Sequence, residues 1–136
     1  MMRLSFDESF LQMAEVAAQR SSCLRLKVGA VIVKENRILS TGYNGSVKGH
    51  EHCTEAGCLK NEQGRCIRCI HAEANALLFA KADLEGATAY ITHYPCENCS
   101  KLIAQSGIKR VVYRHHYENE FSRIFLKDLK VEQLVN

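Results

Sequence analysis

Two short motifs constrain this chain more than anything else in it: His71-Ala72-Glu73 and Pro95-Cys96-Glu97-Asn98-Cys99. Each reads as the start of a helix after an extended run. Only a fold that brings two strand-to-helix junctions to one point lets them act together. Cys96 and Cys99 are three residues apart and share a helix face. Both thiols sit near a helix N-terminus, where the dipole lowers a thiol's pKa. Glu73 lies on a different radial line from His71 and stays off a shared metal. One imidazole, two thiols and a spare carboxylate are the parts of a zinc site with an open fourth position and a proton shuttle. A lone His-x-Glu carries little, and a lone Cys-x-x-Cys also suits structural zinc or redox chemistry. The pair in this order points to catalytic zinc, with His71, Cys96 and Cys99 as ligands and Glu73 as the catalytic carboxylate.

The 136 residues fit a single domain spanning 1–136. A hydrophobic share of 46% supports a core, and 24% charged residues argue against both disorder and a membrane protein. No apolar run approaches ~18 residues. Met1 to Phe10 carries acidic residues and no signal-peptide core, so a cytoplasmic protein without membrane contact is expected. The net charge of +3 suits an anionic small molecule at most. Basic residues are spread out without interleaved aromatics, so no nucleic-acid partner is expected. Seven cysteines without a secretion signal favour metal binding over a disulfide framework.

Ser5 to Arg20 reads as a helix, with Ser5 and Glu8 as a capping box and Phe6, Phe10, Met13, Ala14 and Ala17 as its core stripe. Val28 to Lys34 and Arg37 to Gly42 read as a hairpin turning at Glu35-Asn36. Gly45 to Arg68 is long and polar, and a loop of that length needs a function or a staple. Helices are expected over His71 to Ala82, Cys96 to Gln105 and Glu118 to Leu126. Strands are expected over Thr88 to Thr92, Arg110 to Tyr113 and Lys130 to Leu134. The alternation implies an α/β fold with a mixed sheet covered on both faces.

From about residue 5 to 115 the chain resembles the cytidine deaminase-like superfamily, and most closely the deoxycytidylate (dCMP) deaminases, including competence-type bacterial members. The resemblance is carried by the two zinc motifs, by Lys27-Val28-Gly29-Ala30-Val31-Ile32-Val33, by Ser40-Thr41-Gly42-Tyr43-Asn44-Gly45-Ser46, by His71-Ala72-Glu73-Ala74-Asn75-Ala76, by Thr92-His93-Tyr94-Pro95-Cys96 and by Ser106-Gly107-Ile108-Lys109-Arg110-Val111-Val112-Tyr113. It implies a three-layer α/β/α sandwich with a five-stranded mixed sheet. It also implies hydrolytic deamination of dCMP to dUMP, with zinc-bound hydroxide attacking C4 and Glu73 shuttling protons. Family members are typically oligomers, often hexamers, and many are activated by dCTP and inhibited by dTTP. A homo-oligomer with those effectors is therefore implied. Asn44 is expected to bind the substrate sugar, although an Asn between glycines equally suits a turn. Ala72 is expected to offer its backbone N–H to the base, and Tyr94 to line the base pocket or simply to pack. Lys27, Lys48 and Arg110 are candidates for a nucleotide phosphate.

Some members of the family carry a second, structural zinc. Cys23, Cys53 and Cys66 match its positions, with Cys58 as the fourth ligand. Cys69 is the alternative, because Cys66-Ile67-Arg68-Cys69 has zinc-knuckle spacing. His50 and His52 are weaker candidates. Buried free thiols are the plain alternative. Two other functions remain open: deamination of another base or nucleotide, such as cytidine or tRNA adenosine, and a non-catalytic zinc-stapled nucleic-acid module.

Overall fold

A computed structural model describes residues 2–117 and 119–135. Glu118, where a helix is expected to begin, and the two end residues of the expected domain lie outside the described residues. The chain opens with helix α1 (Phe6–Ala18), followed by strands β1 (Gly29–Lys34) and β2 (Arg37–Tyr43). Short β3 (Gly45–Ser46), α2 (Cys53–Ala56) and β4 (Cys69–Ile70) lead to α3 (Ala72–Phe79) and β5 (Thr88–His93). Then come α4 (Glu97–Gln105), β6 (Arg110–His115), α5 (Ser122–Leu126) and β7 (Lys130–Gln133).

Five strands form one mixed sheet in the order β2-β1-β5-β6-β7. β1 runs antiparallel to β2 and β5, while β6 is parallel to β5 and β7. The β1–β2 turn needs left-handed backbone, and Glu35 and Asn36 adopt φ of 50° and 60°. Side chains alternate across the sheet. Val31, Val33, Tyr90 and Val112 pack on Phe10, Leu11 and Ala14 of α1. Ala30, Ile32, Ala89, Ile91 and Val111 pack on the other side, against Ala72 and Ala76 of α3, Ile103 of α4 and Leu126 of α5. This is the expected α/β/α sandwich with a five-stranded mixed sheet. Among the described residues no helix is long and apolar enough to cross a membrane.

Several expectations need correction. Phe6 is 61% exposed and Met13 43% exposed, while Leu11 and Ala18 are buried in their place. The cause is ionic. Asp7 pairs with Arg110, and Glu8 and Glu15 pair with Arg114, both arginines on β6. Asp7, Glu8, Leu11, Ala14, Glu15 and Ala18 form one helical stripe, so orienting the acids to the sheet turns Phe6 and Met13 outward. Ser5 caps α1 by accepting the Glu8 N–H at 3.1 Å, but the Glu8 carboxylate is occupied by Arg114 rather than closing a capping box. α3 stops at Phe79, short of Ala82, and α5 begins only at Ser122.

Candidate active site

Close backbone packing sets the position of α3. A Cβ on Gly42 would lie 2.3 Å from the Ala72 carbonyl oxygen and 2.6 Å from the Ala76 nitrogen, so only glycine lets the helix lie this near β2. Ser40 Oγ donates to the Ala76 carbonyl at 2.6 Å and fastens the same contact. On the facing side, Ser122 Oγ donates to the Pro95 carbonyl at 2.8 Å and holds the turn ahead of Cys96. His71 and Cys96 are therefore the N-cap residues of two helices whose starts face each other.

The His71 ring does not cap its own helix. Its Nδ1 lies 3.4 Å from both Cys96 Sγ and Cys99 Sγ. Zinc binds nitrogen at about 2.0–2.1 Å and sulfur at about 2.3 Å, so tetrahedral nitrogen and sulfur ligands stand about 3.6 Å apart. The donor set and its spacing fit the metal. Hydrogen bonding from Cys99 and His71 pulls the Cys96 thiol down to about 4, while the same contacts raise His71 and Cys99. The Cys96 sulfur is the group most ready to carry negative charge, and a cation that binds these donors displaces protons from them. Glu73 is buried beside them, and that burial pushes its carboxyl up to about 7.

A cavity of about 470 Å³ opens over this group, large enough for a small ligand. Ala72, Glu73, Asn44 and Tyr94 line it, and so do Arg25 and His93. Asn44 works as a strut: its Oδ1 accepts from Val28 N–H at 2.9 Å and its Nδ2 donates to the Leu26 carbonyl at 2.6 Å. It thereby holds the wall formed by Leu24, Arg25 and Leu26. Tyr94 stands edge-on to Tyr113 at 5.0 Å. Arg110 is not at the cavity; it is committed to Asp7 and Glu132 at 2.6 and 2.8 Å. Lys27 and Lys48 are not among the lining residues, and Arg25 is the one lysine or arginine that is, among the described residues. Nothing in its local sequence marks Arg25, because the fold alone brings it to the rim.

The remaining cysteines gather at one end of the cavity. The Sγ atoms of Cys53, Cys58 and Cys66 all lie within 4.8 Å of one another. Cys53 Sγ is 3.6 Å from Cys66 Sγ and 3.7 Å from Cys69 Sγ, against about 3.8 Å for two thiolates on one tetrahedral zinc. Cys23 does not join the trio as a free thiol. It is bonded to Cys69, with Cα atoms 6.5 Å apart, because the segment after α1 lies against β4. This is one bridge rather than a disulfide framework, and the other five cysteines are free thiols. Burial raises the Cys66 thiol, but hydrogen bonds from the Arg68 and Leu59 backbone and from the Cys53 and Cys58 thiols together bring it down to about 7.

Comparison with known proteins agrees with this geometry. Residues 4–115 match the model of the cytidine and deoxycytidylate deaminase zinc-binding region. A deoxycytidylate deaminase of Mycobacterium phage D29 is 49% identical over 127 residues, covering 83% of this chain and 97% of that protein. The ComE operon protein 2 of Bacillus subtilis is 45% identical over 87% of this chain, which spans only 64% of that relative's length. A crystal structure of dCMP deaminase from cyanophage S-TIM5, in complex with dCMP and dUMP, superposes with a TM-score of 0.84 at 35% identity, over 98% of this chain and all of that one. The His71–Cys96–Cys99 group, the buried Glu73 and this match over most of the length lead to one assignment: the chain belongs to the cytidine and deoxycytidylate deaminase family.

Proposed function

We propose that this protein is a zinc-dependent dCMP aminohydrolase, converting dCMP and water to dUMP and ammonia. The observation that carries the reading is the buried Glu73 beside the His71–Cys96–Cys99 donors in a cavity of ligand size. Zinc held by His71, Cys96 and Cys99 would supply Lewis acidity and make a water nucleophilic near neutral pH. Glu73 accepts a proton from the attacking water and gives it to the ring nitrogen. It then takes the proton of the hydroxyl now on C4 and gives it to the amino group, which leaves as ammonia as the C4 carbonyl forms. A carboxyl near 7 both takes and gives a proton at little cost. The Ala72 N–H, in the first turn of α3, has no intrahelical partner and is offered to the base. Asn44 faces the sugar with the hydrogen-bonding capacity its strut role leaves over, and Tyr94 walls the base. Arg25 meets the phosphate. A non-catalytic zinc-stapled module has no use for a buried carboxyl at a three-donor metal group.

The second metal belongs to the same proposal. Cys53, Cys58 and Cys66 supply three thiolates, and reduction of the Cys23–Cys69 bridge frees the fourth. Cys69 is the nearer alternative, given its 3.7 Å approach to Cys53. Homo-oligomers, effector control by dCTP and dTTP, and a cytoplasmic location complete the reading. The test is Glu73→Gln. Ammonia release from dCMP should fall at least ~10³-fold with zinc content unchanged. Wild-type-like turnover by that variant removes Glu73 as the shuttle, and no turnover of dCMP by zinc-loaded wild type ends the reading.

A further inference from the structure

Thr92 and His93 end β5, and neither belongs to the metal group or its carboxylate. Thr92 is buried, and its Oγ1 accepts the Gly29 N–H at 3.1 Å. The same Oγ1 lies 2.8 Å from His93 Nδ1. A threonine hydroxyl has one hydrogen to give. If Nδ1 carried the imidazole proton, that hydroxyl hydrogen would point at no acceptor among the described residues, in a place water does not reach. Buried donors are almost always paired. The hydroxyl therefore donates to Nδ1, and the ring proton resides on Nε2.

His93 lines the cavity beside Tyr94, and its Nε2 makes no hydrogen bond among the described residues. Burial, with the His115 ring 5.0 Å away, holds His93 below its ordinary pKa, so the ring is neutral near pH 7. His93 lines the same cavity as His71, Glu73 and Cys96, three residues ahead of Cys96 in the chain. Arg25 stands on the wall held by Asn44. With Arg25 the one lysine or arginine lining the cavity among the described residues, a neutral donor such as His93 suits an uncharged acceptor better than a phosphate.

We propose that His93 is a substrate-positioning residue, fixed by Thr92 as the Nε2–H tautomer, which donates to an uncharged oxygen of the substrate's nucleoside part. The inference rests on the deaminase reading and adds a specificity contact to it. Thr92 acts through His93 and is itself a positioning residue.

The test combines kinetics with a measurement that needs no turnover. His93→Leu should raise KM about tenfold for dCMP and for deoxycytidine alike, the worth of one neutral hydrogen bond, with kcat within about twofold. His93→Gln, which restores an amide donor, should recover most of the loss. On a Glu73→Gln background the same pair should change dCMP affinity by the same factors. In resting wild type, ¹⁵N shifts of the His93 ring should report the Nε2-protonated tautomer. Thr92→Ser should keep it and Thr92→Val should lose it. An unchanged KM in His93→Leu, a rise confined to dCMP, no rescue by Gln, or an Nδ1-protonated ring in wild type would each overturn the proposal. Failure of wild type to deaminate dCMP ends the deaminase reading alone, since the tautomer and affinity arms still decide the role of His93.

Discussion

Gly42→Ala is the perturbation that most directly joins packing to chemistry here. The new Cβ would meet the Ala72 carbonyl oxygen at 2.3 Å and the Ala76 nitrogen and Cα at 2.6 and 3.1 Å. All three are α3 backbone, so no side-chain rotation relieves the clash. Ordinary contact begins near 3.4 Å, so the start of α3 must retreat by about 1 Å. Overpacking of this kind costs ~1–3 kcal/mol, and loosening the Ser40–Ala76 hydrogen bond adds ~1 kcal/mol. A total of about 2–4 kcal/mol is a large part of an ordinary domain's stability. The residue before Ala72 is His71, whose Nδ1 moves with the helix away from Cys96 and Cys99. A misplacement of ~1 Å costs on the order of 10² in rate. The assay is urea unfolding together with kcat per folded molecule and zinc content. Gly29→Ala is the comparison: its Cβ would lie 1.9 Å from the Ala14 carbonyl, in α1, on the other side of the sheet. It should destabilise at least as much while sparing kcat and zinc. Wild-type stability and kcat in Gly42→Ala, or an equal loss of kcat in Gly29→Ala, would refute the link from β2 through α3 to the metal group.

Three further outcomes follow from the ion pairs, the rim arginine and the cysteine group. The Arg110 guanidinium, foremost among its partners, holds the Asp7 carboxyl below the usual carboxylate range. A depressed folded-state pKa stabilises above the unfolded value of about 4 and is lost as pH falls through the folded value. Asp7→Asn should therefore cost about 1 kcal/mol at pH 7, discounted for partial exposure, and the gap to wild type should close in acid melts below pH 4. Arg25→Gln should raise KM for dCMP ~10-fold or more and leave deoxycytidine unchanged; an equal effect on both would remove it from the phosphate. Under reducing conditions, metal analysis should find two zinc ions per chain in wild type and one in Cys53→Ser, which should melt lower; one ion in wild type removes the second site.

The strands, most helices and the convergence of the two motifs were legible because they depend on local period and on ligand chemistry. The faces of α1 were not. Phe6 and Met13 fit an apolar stripe as well as Leu11 and Ala18 do, and only Arg110 and Arg114, a hundred residues away in the chain, decide which stripe turns inward. Arg110 itself looks like a phosphate ligand until its two acids are placed. Arg25 sits in a segment without motif character, and its place comes from which wall the fold makes of it. His93 lies in a stretch that carries the resemblance, but nothing in that stretch marks a role of its own. The Cys23–Cys69 bridge depends likewise on the approach of the segment after α1 to β4.

That approach gives the cysteine group a purpose beyond loop order. β3 and β4 pair through only Gly45–Ile70 and Ser46–Cys69, too little for an independently stable ribbon. Between them Leu59 and Ile67 are exposed, and Cys53 is the segment's buried residue in the core. A loop this poor in apolar burial cannot offset its own ordering entropy. Yet it ends at Ile70, directly before His71, whose ring must stay within 3.4 Å of two sulfurs. Crosslinks supply what burial does not: a disulfide fixes Cys69 to the segment after α1, and Cys53, Cys58 and Cys66 converge beside it. Asn44, joined to Leu26 and Val28, pins the far side of that same segment. The entry to the catalytic helix is thus held from both sides, and loosening the cysteine group should show first in the affinity of His71, Cys96 and Cys99 for their metal.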